Sequence, residues 1–217
     1  MRLNTKSTQL SISQIAAIYY TNNTAIYDII IKIVKSKMKE EIFSKIKKEY
    51  DDFYRGLLKS GKLPMWSTEK GFWNASISDE VYGAFKRIGL DKFSSFLDIG
   101  SGDGKVVLIA SLFCQSAEGV EIDNFLHDKS IEMKEKLNIS NAGFHNKDFL
   151  HHDFSKHSVL FLAPDAPLDR GIENKLLKEM NGKLIHYGHH FQPKFLKKEE
   201  SFLVNWSLIS LYSNQKP

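Results

Sequence analysis

The stretch Phe96-Leu97-Asp98-Ile99-Gly100-Ser101-Gly102-Asp103-Gly104-Lys105 decides the fold. An apolar strand end runs into a glycine-rich turn, and the turn opens a helix over Val106 to Phe113. Glycine at every second position leaves the loop without a side-chain wall, so the backbone can bend sharply and approach a ligand closely. The N–H groups of the first helical turn face the same spot and favour an anionic group there. Such a loop, at the carboxyl end of a parallel strand, is where open α/β sheets bind nucleotides. A dinucleotide fingerprint G-x-G-x-x-G would need glycine at position 105, where Lys105 stands.

Downstream, strands and helices alternate. Ala117 to Ile122 reads as the next strand, Asn124 to Leu137 as a helix and Gly143 to His145 as a short strand. Ser158 to Ala163 is a continuous apolar strand of the kind buried in parallel sheets. Gly171 to Met180 reads as a helix and Gly182 to Tyr187 as a strand; Phe202 to Tyr212 reads as strand with a turn at Asn205. Alternation of this kind predicts a doubly wound, mostly parallel seven-stranded sheet. The final strands leave no room for a crossover helix and are expected to form an antiparallel hairpin. Upstream, Asp79 to Ile88 is a helix with Ser76 or Ser78 as its cap, and residues 65–76 read as irregular.

The chain of 217 residues is long enough for a core with an appendage. Residues 1–62 read as a helical extension and 63–217 as the sheet domain. A short helix over Ser11 to Tyr20 and a turn at Asn22-Asn23-Thr24 precede an amphipathic helix from Ala25 to Lys59, broken once near Ser36 to Glu40. The extension holds 12 Lys/Arg against 6 Asp/Glu, while the rest holds 18 against 20. The basic balance therefore belongs to the helices, where Lys35, Lys37, Lys39, Lys45, Lys47 and Lys48 offer a footprint for RNA or an acidic partner, or else a solvated face. One cysteine, Cys114, excludes an internal disulfide. It fits a reducing, cytoplasmic setting, and neither a leader nor a membrane span is expected. His186, His189 and His190, or His151, His152 and Asp153, invite a metal reading. Neighbouring histidines on a strand point to opposite faces, however, and no metal is expected.

Glu121 ends the second strand of this series, 23 residues after Asp98. A carboxylate there can accept from both hydroxyls of a ribose. Ile122 then packs on an adenine face.

The spacing D-x-G-x-G-x-G at Asp98 to Gly104 closely resembles motif I of the class I S-adenosylmethionine (SAM) methyltransferases. The resemblance covers about Pro64 to Ser213. It implies SAM as cofactor, bound by Gly100, Ser101 and Gly102, with Asp98 near the positive methionine end and Glu121 on the ribose. It implies that Asp148 accepts from the adenine amine with Phe149 against the ring, and that Ser76 and Trp73 line the site. In amino-directed nucleic-acid methyltransferases an N/D-P-P-aromatic motif follows the fourth strand; Pro164-Asp165 reverses that order here and lacks the aromatic, which argues against that subgroup, and Asp165 is the candidate to orient an amine. The loop D-x-G-S-G-D-G-[RK], matched at Asp98 to Lys105, looks most like the small archaeal and mitochondrial protein-lysine methyltransferases distantly related to Dot1. A protein lysine is then the implied acceptor. An RNA or small-molecule acceptor, or SAM binding without transfer, are the other readings.

Overall fold

A computed structural model describes residues 11–68, 71–169 and 171–214, and the side chains of residues 12–25 are outside that description. The chain divides into two compact units, Met1–Ile42 and Phe43–Pro217. The division falls inside a single helix, α1 (Ile12–Lys59). The expected turn at Asn22 to Thr24 and break near Ser36 are absent, and α1 runs through both. No proline or glycine occurs from residue 12 to residue 55, so nothing forces the backbone out of the helix. Gly61, with φ of 77°, follows its end.

In the second unit β1 (Met65–Ser67) and β2 (Phe72–Asn74) form an antiparallel hairpin where an irregular segment was expected. Three-residue strands are too short for alternation to register in the sequence. Then come α2 (Ser78–Ile88), β3 (Ser95–Ile99), α3 (Lys105–Ala110), β4 (Ser116–Glu121), α4 (Asn124–Leu137), β5 (Ala142–Asn146) and β6 (Val159–Leu162). The chain ends with α5 (Ile172–Glu179), β7 (Lys183–Tyr187), β8 (Lys197–Val204) and β9 (Ser207–Ser213). Neither Ser76 nor Ser78 caps α2: Ile77 occupies the N-cap position without a side-chain bond, and Ser78 is already helical. The helix relies on Asp79 and Glu80 in its first turn and Lys86 and Arg87 in its last, both favourable to the helix dipole.

The main sheet has seven strands in the order β5-β4-β3-β6-β7-β9-β8. Strands β3 to β7 run parallel to one another, and β9 runs antiparallel between β7 and β8. The expected α/β class, parallel sheet and terminal hairpin are all present. Asn205, with φ of 52°, makes the tight turn between β8 and β9. Strand β8 begins at Lys197, earlier than the apolar pattern indicates, because Lys197 to Ser201 form an exposed edge. The order reverses at β3, whose neighbours β4 and β6 carry the chain outward on either side. The carboxyl ends of β3 and β6 therefore flank a crevice.

Both faces of β3 and β6 are apolar, as buried parallel strands require. Leu97, Ile99, Leu160 and Leu162 pack with Ile172 and Leu176 of α5 on one face. On the other, Phe85 of α2 meets Phe96, Phe113 and Phe161 edge-on, with ring centroids 5.4 to 6.2 Å apart. Phe85 is fully buried at the centre of this cluster. Phe85→Ala should cost about 3–5 kcal/mol of stability, read as a lower urea midpoint with an unchanged slope.

Candidate functional site

The loop after β3 closes back on the sheet by backbone bonds: the N–H groups of Gly100 and Ser101 both donate to the Val120 carbonyl. Gly100, Gly102 and Gly104 all have positive φ, at 77°, 54° and 82°. At the latter two the space is also taken. A Cβ on Gly102 would lie 2.4 Å from the indole nitrogen of Trp73, and one on Gly104 would lie 2.5 Å from Ser130. The glycines are needed for conformation and for close approach together.

Three carboxylates surround this loop. Asp98, Asp103 and Glu121 are each at most 9% exposed. Glu121 accepts from the N–H of Gly102 at 2.8 Å, of Ile122 at 2.9 Å and of Asp123 at 2.8 Å. It thus ties the loop after β4 to the loop after β3. Two of those bonds fall on Oε1 and one on Oε2, which leaves acceptor capacity on Oε2 for a ligand hydroxyl. Burial raises its carboxyl pKa, against the opposing effect of the three N–H donors. Asp98 is pushed well above its ordinary 3.8 by burial, with Glu121 and Asp103 adding repulsion.

Asp103 is held from α1. The Tyr54 hydroxyl donates to its carboxylate at 2.5 Å, and the fully buried Tyr50 hydroxyl donates to its carbonyl at 2.7 Å. Lys105 is 2% exposed, donates from Nζ to the Ser76 carbonyl, and lies 4.6 Å from the centre of the Tyr54 ring. Burial lowers its pKa, while Asp103 and Asp51 counter the shift. The two tyrosines are one helical turn apart on the apolar stripe of α1, a spacing visible in the sequence, but nothing local reveals what that stripe touches.

These elements enclose a cavity of about 210 Å³ at the crevice. Ser76, Asp98, Gly100, Ser101, Gly102, Glu121, Ile122, Phe149 and Asp165 all line it. Asp148 does not; it caps the short turn Phe149–His151 by accepting from the Leu150 N–H. Ser101 Oγ is buried and, among the described residues, has no hydrogen-bond partner. The hairpin forms one wall. Trp73 lies against Gly102 and packs on Trp66 and Tyr54, with centroids 4.3 and 6.4 Å away. The Phe72 N–H donates to the Asp165 carboxylate, which joins the hairpin to the segment after β6.

The lining is one-sided in charge. It holds the carboxylates Asp98, Asp103, Glu121 and Asp165, with Lys105 as the one cation among the described lining residues. Lys105 is directed at a backbone carbonyl. Such a cavity disfavours a pyrophosphate and favours a ligand that brings positive charge.

No protein-family model matches this sequence, and no curated protein is significantly similar to it. Solved structures share the fold. An RNA methyltransferase from Salinibacter ruber, in complex with S-adenosyl-L-homocysteine, superposes with a TM-score of 0.55 at 16% identity over 66% of this chain and 96% of its own. The Pyrococcus abyssi tRNA (uracil-54, C5)-methyltransferase, also with S-adenosyl-L-homocysteine, gives 0.54 at 13% identity over 69% of this chain and 44% of its own. A putative methylase from Haemophilus influenzae gives 0.50 at 18% identity over 70% and 99%. The chain is thus similar in fold to this group of methyltransferases.

A buried carboxyl with a raised pKa costs stability once it ionises. Its contribution is intact below the ordinary 3.8 and is lost as pH rises through the folded-state value. Asp98→Asn should therefore raise the melting temperature of the ligand-free protein at about pH 7, and the gain should vanish near pH 3, where the wild-type carboxyl is neutral too. An equal gain at both pH values would contradict the assignment.

Proposed function

We propose that this protein binds SAM in the cavity at the glycine loop and transfers its methyl group to an acceptor that enters between Phe72 and Asp165. The observation that carries the reading is the charge of the lining: four carboxylates around a glycine turn against one cation among the described lining residues, Lys105, whose Nζ is engaged by the Ser76 carbonyl. A ligand with a sulfonium and an amino group offsets that charge, whereas a dinucleotide adds to it. SAM supplies a methyl group already placed on a good leaving group. The chain then has to align the acceptor and exclude water.

Glu121 Oε2 is placed to accept from a ribose hydroxyl, and Ile122 and Phe149 supply apolar faces for adenine. Asp98 and the backbone of Ser101 border the polar end of the ligand, while Ser101 Oγ packs back against Gly119. For Asp148 we retain only the support of the adenine subsite, through its cap on the Phe149 turn.

We further propose RNA as the acceptor, through a nucleobase amine, rather than the protein lysine that the resemblance implies. Asp165 supports this. A carboxylate beside a lysine stabilises its ammonium form, which cannot attack a methyl group. The amine of a base is not basic and needs only an acceptor to orient it. Phe72 is 46% exposed next to Asp165 and offers a ring for a base to stack on. Two of the fold neighbours are RNA methyltransferases, which supports RNA as the acceptor class; the amine rests on Asp165 alone.

Titration calorimetry with SAM should show binding that weakens by about 1–3 kcal/mol, roughly 5- to 150-fold, in Glu121→Ala. No heat with folded protein would remove the cofactor reading. Methyl-tritiated SAM incubated with purified cellular RNA and, separately, with denatured cellular protein then identifies the acceptor. RNase-sensitive label that Asp165→Ala abolishes supports RNA. Label confined to protein restores the lysine reading. Cofactor binding with label in neither leaves a SAM-binding protein without transfer to these classes.

A further inference from the structure

Beyond the cavity, four titratable side chains meet at the outer edge of the sheet. Glu118 lies on β4 and His145 on the edge strand β5. His152 and His157 come from the segment that returns from β5 to β6. His145 Nε2 is 2.7 Å from Glu118 Oε2. The His145 and His152 rings are 4.9 Å apart. One ligand atom from each of Glu118, His145 and His152 lies within 4.8 Å of the others, the one such set among the described residues.

His152 is buried, at 7% exposure, and its Nε2 faces His157 Nε2 at 3.4 Å. Its Nδ1 has no partner among the described residues. A buried imidazole nitrogen without a partner carries a desolvation cost, so its position needs a reason.

We propose that Glu118, His145 and His152 form a binding site for a divalent transition-metal ion of the zinc type. Two imidazole nitrogens and one carboxylate oxygen are a set such ions accept, with a fourth position left to water. Ligand atoms around tetrahedral zinc are about 3.3 Å apart, so closure of the set needs shifts of about 1 Å in side chains. Glu118 and His145 keep more than a third of their side-chain surface exposed and have room to move. His145 has to turn to the tautomer with its proton on Nδ1, which frees Nε2 for the ion. His152 binds through its unpartnered Nδ1, and its Nε2–H then donates to His157. An acceptor on the other ring nitrogen fixes the tautomer and orientation of a metal-bound histidine, and here that acceptor is an imidazole.

The three ligands would join β4, β5 and the returning segment. That segment includes Phe149, which lines the cavity, so the ion would hold one wall residue in place without taking part in chemistry there. The site stands on its own residues and does not depend on the cofactor reading.

The test uses the full chain, stripped of metal with a chelator and titrated with zinc alone in competition with a colorimetric indicator. One equivalent should bind. Glu118→Gln and His145→Gln, both at partly exposed positions, should each weaken binding at least tenfold while leaving the melting temperature of the metal-free protein unchanged. Cobalt in place of zinc should give the visible absorption of a tetrahedral complex, lost in the same variants. The paired variant His189→Gln/His190→Gln should bind as wild type does. No binding of zinc at about 50 μM, binding unaffected by both Glu118→Gln and His145→Gln, or loss in the His189/His190 variant would each overturn the site.

Discussion

Three carboxylates buried around one turn of backbone set the terms for this structure. Taking Asp98, Asp103 and Glu121 out of water is costly unless each is met by donors or by opposite charge. Glu121 is met by three backbone N–H groups, those of Ile122 and Asp123 beside it and that of Gly102 in the turn of positive φ. Asp103 is met by Tyr54, on the last turns of α1. The glycine loop, the end of α1 and the first turn after β4 therefore form one mutually dependent unit. The solvent cost that remains at Asp98 fits a ligand that brings positive charge.

A second carboxylate network starts from the first turn of α2. Glu80 is 1% exposed and accepts from the hydroxyls of Tyr187 at 2.7 Å and Ser207 at 2.5 Å. The Tyr187 hydroxyl, pushed up to about 12 chiefly by burial, keeps its proton and remains a donor. This network ties α2 to the end of β7 and to the β8–β9 turn, holding the antiparallel hairpin to the parallel sheet. The mixed sheet thus has a polar fastening at the join and an aromatic one, around Phe85, at the centre.

What could be read from the sequence followed from strong local signals. The alternation from Ser94 onward and the glycine loop are patterns of period, and they gave the sheet and most of the cavity lining. What escaped depended on contact at a distance. Nothing near Tyr50 or Tyr54 indicates that their hydroxyls reach Asp103, 53 and 49 residues away. The hairpin at Trp66 and Trp73 was hidden because its strands are three residues long. The uninterrupted α1 was hidden for the opposite reason: Asn22, Asn23 and Ser36 look like breaks, yet each costs a helix at most about 0.7 kcal/mol, less than the roughly 1 kcal/mol of glycine. The cap that Asp148 places on the turn at Phe149 was likewise hidden, because it is set by the conformation of that turn.

Trp73 has a consequence of a different kind. The chain has three tryptophans. Trp206 is 88% exposed at the β8–β9 turn, far in sequence from the loop, and Trp66 packs beside Trp73 at 4.3 Å. A molecule filling the cavity must press on the Trp73 indole, because that ring forms the wall over Gly102. The protein consequently carries its own optical probe: emission from the Trp66–Trp73 pair follows occupancy of the cavity, and Trp206 supplies a constant water-exposed background against which the change is read.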